Sequence, residues 1–363
     1  GQKVELVSQE LVDITQQTPL AQSQSDQLEA DQLSEPFQNI EETSEQQASQ
    51  ILSNRFKPVD GQWDLSPSTF VVPTGLRDIV QFWTHLFGRY PDQHVIFYNE
   101  DNCGIVYSVL DFTGLDDLDD AARDSVRAQV AHDETERLKQ GLKKIAARLN
   151  DPKATLTDLT GDEQRIAQLL LQNKDSLDLS EAELVNSLKL RNGFAHRFKG
   201  AIVQSGKYLD DFRRIFRERG LPEELTVIPF FESAFNAQAY SHSDAAGVWQ
   251  FIEATGKQYL HIDNYVDERY DPILSAYAAA THLATEYKML KSWPLTINAY
   301  NTGPGRMKAA VAELKTKDFA QIVKNFKGSG YGFDSRNYFP EFLAALTVYN
   351  NKEYYFGNIE PLP

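Results

Sequence analysis

Cysteine is almost absent: Cys103 stands alone among 363 residues. No disulfide framework can form within the chain, and no Cys-x-x-Cys pair is there to hold zinc. No stretch approaches the eighteen or more consecutive apolar residues that a membrane-spanning helix requires. Basic residues are scarce, 36 Lys+Arg against 52 Asp+Glu, for a formal net charge of −16. That balance argues against a dedicated nucleic-acid binder, whose phosphate contacts need clustered Lys and Arg. The seven histidines show no HExxH or other ligand spacing, so neither a metal nor a cofactor is expected. No signal-peptide pattern opens the sequence, which fits a cytoplasmic protein or an exported one whose leader is absent from this chain.

What is present is enough apolar material, 41% hydrophobic and 11% aromatic, for one large core or two modest ones. The charge is unevenly spread. Residues 1–50 hold ten acidic residues, twelve Gln and one basic residue, Lys3. Such a segment buries too little apolar surface to offset the entropy of ordering it, so residues 1–60 are expected to be a disordered acidic tail. The rival reading docks Leu6, Val7, Leu11, Val12 and Ile14 onto the body as one helix face.

Beyond the tail, residues 61–150 read as a mixed accessory region. Leu76, Ile79, Val80, Trp83 and Phe87 recur at helical spacing. His94–Tyr98 and Gly104–Phe112 read as two β-rich runs joined by the turn residues Asn99-Glu100-Asp101-Asn102, which predicts a hairpin. Residues 117–149 carry a long amphipathic pattern, closed by Asp151-Pro152. Residues 151–184 are expected to be a helical connector. Ser180 and Glu183 have the spacing of a capping box, and the helix they open is expected to run through Leu184, Leu188 and Leu190. A further helix is expected over Phe194–Phe216, and the chain is predicted to be mainly α.

The chemistry concentrates between Leu221 and Asn301. Glu232 lies among Phe230, Phe231 and Phe235. A carboxylate in apolar surroundings loses hydration and resists ionisation, so it can carry a proton near neutral pH and donate it. Cleavage of a glycosidic bond needs such a donor, because the leaving oxygen must be protonated. The plainer alternative is a glutamate that caps a helix or pairs with an arginine. Downstream follow Ser241-His242-Ser243-Asp244, then Trp249-Gln250-Phe251, and finally Ala299-Tyr300-Asn301-Thr302-Gly303.

The order and spacing of these motifs resemble the catalytic domain of bacterial lytic transglycosylases of the soluble type, related to goose-type lysozyme. The resemblance spans about residues 185–350, within a domain expected over 185–355, and is strongest to the group around membrane-bound lytic murein transglycosylase D. It implies a lysozyme-like helical domain behind the smaller mixed region, acting on peptidoglycan glycan strands. Glu232 matches the family's single catalytic glutamate. Ser241, Gln250, Tyr300 and Asn301 match residues of the substrate groove, with the Tyr300 hydroxyl close to the catalytic carboxyl. Asp334, in Asp334-Ser335-Arg336-Asn337-Tyr338, stands where many relatives carry glutamate, and Tyr338 closes that motif. The resemblance further implies non-hydrolytic cleavage between N-acetylmuramic acid and N-acetylglucosamine, giving 1,6-anhydro ends. Because murein lies outside the cytoplasmic membrane, it also implies a periplasmic or envelope location. Residues 61–150 would recruit envelope partners, and a lipid anchor would lie outside this chain.

Two other readings compete. In a hydrolytic muramidase, Asp244 would activate water. In an envelope scaffold, the groove would bind glycan without turning it over. Asp267, Arg269 and Asp271 read as an ion-pair and cap cluster behind the site, Trp249 and Trp293 as core anchors, and the alanine-rich run Ala276–Ala284 as a close helix-packing face.

Overall fold

The computed structural model describes residues 27–29, 70–115, 117–151 and 153–363. Within the tail, Gln27–Glu29 forms a short strand, β1; the rest of residues 1–60, and 61–69, lie outside the described residues. The remaining chain is mainly α, as expected. In order it forms α1 (Arg77–Gly88), β2 (His94–Asn99), β3 (Val106–Asp111), α2 (Asp120–Leu149), α3 (Gly161–Gln172), α4 (Glu181–Asn186) and β4 (Leu188–Asn192). Then follow α5 (Ala195–Ser205), α6 (Leu209–Glu218), α7 (Ile228–Glu232), and the two-residue strands β5 (Ala245–Ala246) and β6 (Phe251–Ile252). The C-terminal half adds α8 (Pro272–Leu290), α9 (Trp293–Thr302), α10 (Pro304–Leu314), α11 (Phe319–Asn325) and α12 (Phe333–Asn350).

Packing separates the described residues into two compact units, one of residues 90–193 with β1, the other of residues 70–89 with 194–363. The first is a sheet of order β1-β4-β2-β3 packed with α2, α3 and α4. The expected hairpin is β2 and β3, paired antiparallel with an irregularity between Phe97 and Tyr98. Helix α2 is opened by Asp119, whose side chain accepts from the Ala122 N–H, and it buries Val126, Val130, Leu138, Leu142 and Ile145. The boundary anticipated near residue 150 falls inside this unit.

The helix expected to continue from Ser180 to Leu190 stops at Asn186. Ser180 accepts from the Glu183 N–H, but the full reciprocal box forms instead at Thr160 and Glu163. Leu188 and Leu190 enter the core from a strand, β4, where β2 supplies the hydrogen-bonding edge from Val95 to Asn99. Ladder pairing overrides local helical preference here. The helix anticipated over Phe194–Phe216 is two helices, α5 and α6, broken at Gly206–Tyr208.

The second unit holds the site. Helix α12 runs along α1 and α9, and the Trp83 indole N–H donates to Asn337 Oδ1 at 2.8 Å, fixing the face of α12 beside Tyr338. The helix expected at Leu76–Phe87 therefore belongs to this body, as α1. Phe87, Phe198, Phe230, Phe231, Phe235 and Phe212 pack ring against ring, with centroids 4.6–6.5 Å apart. Each such pair adds about 0.5–1.5 kcal/mol beyond area burial, so the floor under α7 is stiff.

Candidate active site

Glu232 is the last residue of α7 and is 1% exposed. After it the chain turns through Ala234 and Phe235, both left-handed at φ 50° and 58°. Two consecutive non-glycine residues in that region are costly, and such strain persists where surrounding structure fixes it. Here the Ser233 and Phe235 N–H groups both donate to the Pro229 carbonyl at 3.2 Å. The Ser233 hydroxyl donates to the Val248 carbonyl at 2.8 Å, which ties the turn of Glu232 to the loop that carries Gln250.

The Glu232 carboxyl has one hydrogen-bond partner among the described residues. Tyr338, from α12, donates its hydroxyl to Oε1 at 2.5 Å, while Oε2 is buried without a partner. Burial pushes the carboxyl up to about 8, and the Tyr338 hydrogen bond lowers it only in part. Burial thus favours the protonated acid, and one of its oxygens is left without a hydrogen-bond partner.

Tyr300 lies within range of the Glu232 charge without hydrogen-bonding the acid. Its hydroxyl donates to the Trp249 carbonyl at 2.8 Å, and its ring stacks on Tyr338 at 6.3 Å and 18°. Tyr338 is thus the tyrosine hydrogen-bonded to the acid, and Tyr300 stacks on it. Burial, then the charges of Glu232 and Glu286, hold the Tyr300 hydroxyl well above the usual tyrosine range.

Gln250 adopts a left-handed backbone, φ 51°, between β5 and β6. Its side-chain amide donates to the Gly247 carbonyl at 2.8 Å and to the Ala239 carbonyl at 3.3 Å, so Oε1 is left as a buried, unpartnered acceptor. Ser241 is buried in the same loop, where its hydroxyl accepts from the Ala245 N–H and lies 3.0 Å from Ser243 Oγ. Asn301, at the end of α9, and Asp334, in the first turn of α12, are half-buried. Glu232, Gln250, Tyr300 and Tyr338 thus form one connected wall; Ser241, Asn301 and Asp334 do not hydrogen-bond the acid.

Behind the loop, Arg269 forks onto Asp267 and donates to the Asp244 and Phe251 carbonyls at 2.6 and 3.0 Å. Asp271 caps α8 through the Ile273 and Leu274 N–H groups. The ion-pair and cap cluster read from the sequence is thus in place. Asp244 accepts a hydrogen bond from the Tyr240 hydroxyl on the exposed side of the loop. Trp249 is fully buried against Phe212 and Phe216; Trp293 is half-buried and stacks on Tyr287 at 4.2 Å. Among the described residues, no group of three or more His, Cys, Asp or Glu is placed to hold a metal ion.

Sequence reading missed Ser233 as a tether, and it missed a second buried acid, Glu286, on α8. The available signal was a histidine and a glutamate, His282 and Glu286, four residues apart on an otherwise alanine-rich helix.

A neutral buried carboxylic acid held by a tyrosine hydroxyl is the equipment of a general acid in a helical domain. Residues 214–323 match the family described as Transglycosylase SLT domain. It is 34% identical over 141 residues to membrane-bound lytic murein transglycosylase D of Escherichia coli strain K12, covering 38% of this chain and 30% of that protein. It is 39% identical over 102 residues to a putative tributyltin chloride resistance protein of Alteromonas sp. strain M-1, covering 28% of this chain and 49% of that one. The chain thus spans 30% to 49% of the length of these curated relatives. Among solved structures, an inactive mutant of the lytic transglycosylase Slt from Pseudomonas aeruginosa matches with TM-score 0.37 and 16% identity, over 69% of this chain and 38% of that one.

Proposed function

We propose that the protein is a lytic murein transglycosylase, with Glu232 as its acid and base. The observation that carries this reading is the buried Glu232 carboxyl, with Tyr338 on one oxygen and the other oxygen buried without a partner. Among the described residues no second carboxylate contributes to its proton affinity. Mechanisms built on a pair of carboxylates depend on a close partner, and a lone acid suits a substrate that supplies its own nucleophile.

In the proposed reaction Glu232 protonates the oxygen between N-acetylmuramic acid and N-acetylglucosamine. The substrate acetamido oxygen attacks the anomeric carbon, and the glycosidic bond breaks. Glu232, now a carboxylate, takes the proton from the muramoyl C6 hydroxyl as that oxygen closes the 1,6-anhydro ring and displaces the acetamido oxygen. The proton given is recovered, and no water is consumed. Gln250 Oε1 offers a buried acceptor for a substrate N–H or hydroxyl. Tyr338 holds the carboxyl in register across both proton transfers.

Such a substrate lies outside the cytoplasmic membrane, so the proposed location is the periplasm or envelope. Among the described residues no helix is long and apolar enough to cross a membrane. The proposed division of labour gives glycan cleavage to the unit of residues 70–89 with 194–363, and partner binding to the unit of residues 90–193. The test is mass spectrometry of products from purified murein, wild type beside Glu232→Gln. Anhydromuropeptides that disappear in the variant support the reading; reducing ends indicate a hydrolase, and binding without products indicates a scaffold.

A further inference from the structure

A second buried acid stands behind the proposed catalytic wall, outside every motif used above. Glu286 projects from α8, is 1% exposed, and neither carboxyl oxygen has a hydrogen-bond partner. One turn earlier on the same helix lies His282, with Nε2 3.4 Å from Glu286 Oε1. The other ring nitrogen, Nδ1, lies 3.2 Å from the Tyr259 hydroxyl. The His282 ring meets Tyr300 edge-on at 5.6 Å, Tyr300 stacks on Tyr338, and Tyr338 holds Glu232. Glu286 and Glu232 are therefore linked through His282 and one pair of tyrosine rings, and a third buried acid, Glu341 on α12, acts on Tyr338.

The groups facing Glu286 can be enumerated. On its own helix there is His282; on α9 there is Tyr300; from the segment before the Asp267–Arg269 cluster there is Tyr259. Charges on the other elements packed against α8 are engaged elsewhere. Arg219, just after α6, donates to the Thr281 hydroxyl and lies over Tyr277. Lys308 of α10 reaches Met289 Sδ, and Arg269 is committed to Asp267. Burial pushes Glu286 up to about 8 and His282 down to about 4, with no charged group opposing either.

One protonation state satisfies this cluster. With Glu286 neutral, its carboxyl proton can turn toward His282 Nε2, 3.4 Å away, and an Nδ1–H tautomer can donate to the Tyr259 hydroxyl. The Tyr300 hydroxyl is then free to stay on the Trp249 carbonyl, where it is found. An ionised Glu286 needs two donors in a site that water does not reach. A tautomer shift lets His282 Nε2–H serve one oxygen, but the Tyr259 hydroxyl is then spent on Nδ1. The donor left within electrostatic range of the other oxygen is the Tyr300 hydroxyl.

We propose that Glu286, sharing a proton with His282, is a positioning residue for this wall: its neutral form leaves the Tyr300 hydroxyl on the Trp249 carbonyl, and its ionised form pulls that hydroxyl away. Losing that bond frees the backbone immediately before Gln250 and removes the ring against which Tyr338 is stacked. Activity then requires two protonated acids, Glu232 to react and Glu286 to hold the wall. The inference rests on the proposed function only for its kinetic readout.

The first experiment is the pH dependence of kcat/KM on purified murein for wild type and Glu286→Gln. Gln keeps the shape and an N–H donor for His282 but cannot ionise. Wild type is expected to fall about 100-fold per pH unit well above both ionisations, and Glu286→Gln about tenfold. An alkaline limb of equal slope in the two proteins overturns the inference. The second experiment needs no turnover: a titration of the full chain labelled with carboxyl-¹³C glutamate, in wild type, Glu232→Gln and Glu286→Gln. Glu232→Gln should retain a carboxyl titrating far above the ordinary glutamate range that is missing from Glu286→Gln, and the Trp249 and Gln250 amide signals should move with it. Absence of that carboxyl, or amide signals that stay still while it titrates, overturns the inference. Full murein cleavage by Glu232→Gln would instead remove the proposed function and leave the Glu286 titration intact.

Discussion

Tyr338 donates to Glu232 Oε1 at 2.5 Å across 106 positions of sequence, and this contact opposes the environment around it. Burial favours the neutral acid, whereas a hydroxyl donor favours the carboxylate; burial prevails, and the carboxyl rests at about 8. Replacing Tyr338 with Phe removes the opposing effect. The alkaline limb of kcat/KM should then move to higher pH by about one unit, the size of shift a single hydrogen bond to a charged group supports. The rate at pH 6 should fall, because the carboxyl loses its orientation. A limb that moves to lower pH would mean Tyr338 does not act on Glu232.

The reaction needs a protonated Glu232, and its value of about 8 sets the sign of the pH dependence. Activity should be level through neutral pH and fall as pH rises past that value. Glu232→Gln has no proton to give and should lose about a hundredfold to ten-thousandfold in rate at every pH. Initial rates of murein solubilisation over pH 5–10, interpreted as on the order of one or two proton losses, check both points. A rate that climbs steadily through pH 9 is incompatible with an acid at this position.

The same burial has a stability consequence. Glu232 has an ordinary value of 4.5 when exposed and about 8 in the folded chain, so the folded state holds the proton more tightly. Its contribution is complete below pH 4.5 and is lost as pH rises toward 8, at about 1.4 kcal/mol per unit. Glu286 follows the same course for the same reason, desolvation by burial. Thermal unfolding of wild type should therefore weaken between pH 5 and 8, and Glu232→Gln should flatten that slope by about one proton's worth. Identical slopes in the two proteins would show that Glu232 is solvated in solution.

Much of the site was legible in sequence because its parts are local. The Phe-rich flank of Glu232 reports its burial directly, and the turn residues between two β-rich runs report the hairpin. Contacts that depend on distant partners were not legible. Tyr300 and Tyr338 are both tyrosines in recognisable motifs, and only the packing of α12 on α9 decides which hydroxyl meets the acid. Leu188 and Leu190 satisfy a helix or a strand equally well until β2 offers an edge. Glu286 was hidden for a related reason: helical spacing places it on a face, but neighbouring elements decide whether that face sees water.

The loop that carries Gln250 depends on Arg269 and on a glycine that cannot be replaced. Gly247 has φ +76°, and a Cβ built there would lie 1.8 Å from the Arg269 carbonyl oxygen. Gly247→Ala therefore meets backbone strain of about 1–3 kcal/mol and a clash that only moving the loop relieves. Arg269→Lys keeps the charge but loses the planar fork that grips Asp267 while also reaching the Asp244 and Phe251 carbonyls. It should cost about 1–3 kcal/mol, since a half-buried carboxylate and two carbonyls lose donors together. Both variants should unfold at lower urea than wild type and should lose murein affinity more than they change the alkaline limb, because Gln250 shifts while Glu232 keeps its burial. If Gly247→Ala unfolds at the wild-type urea midpoint, the turn is free to adopt another course and the positioning of Gln250 does not depend on it.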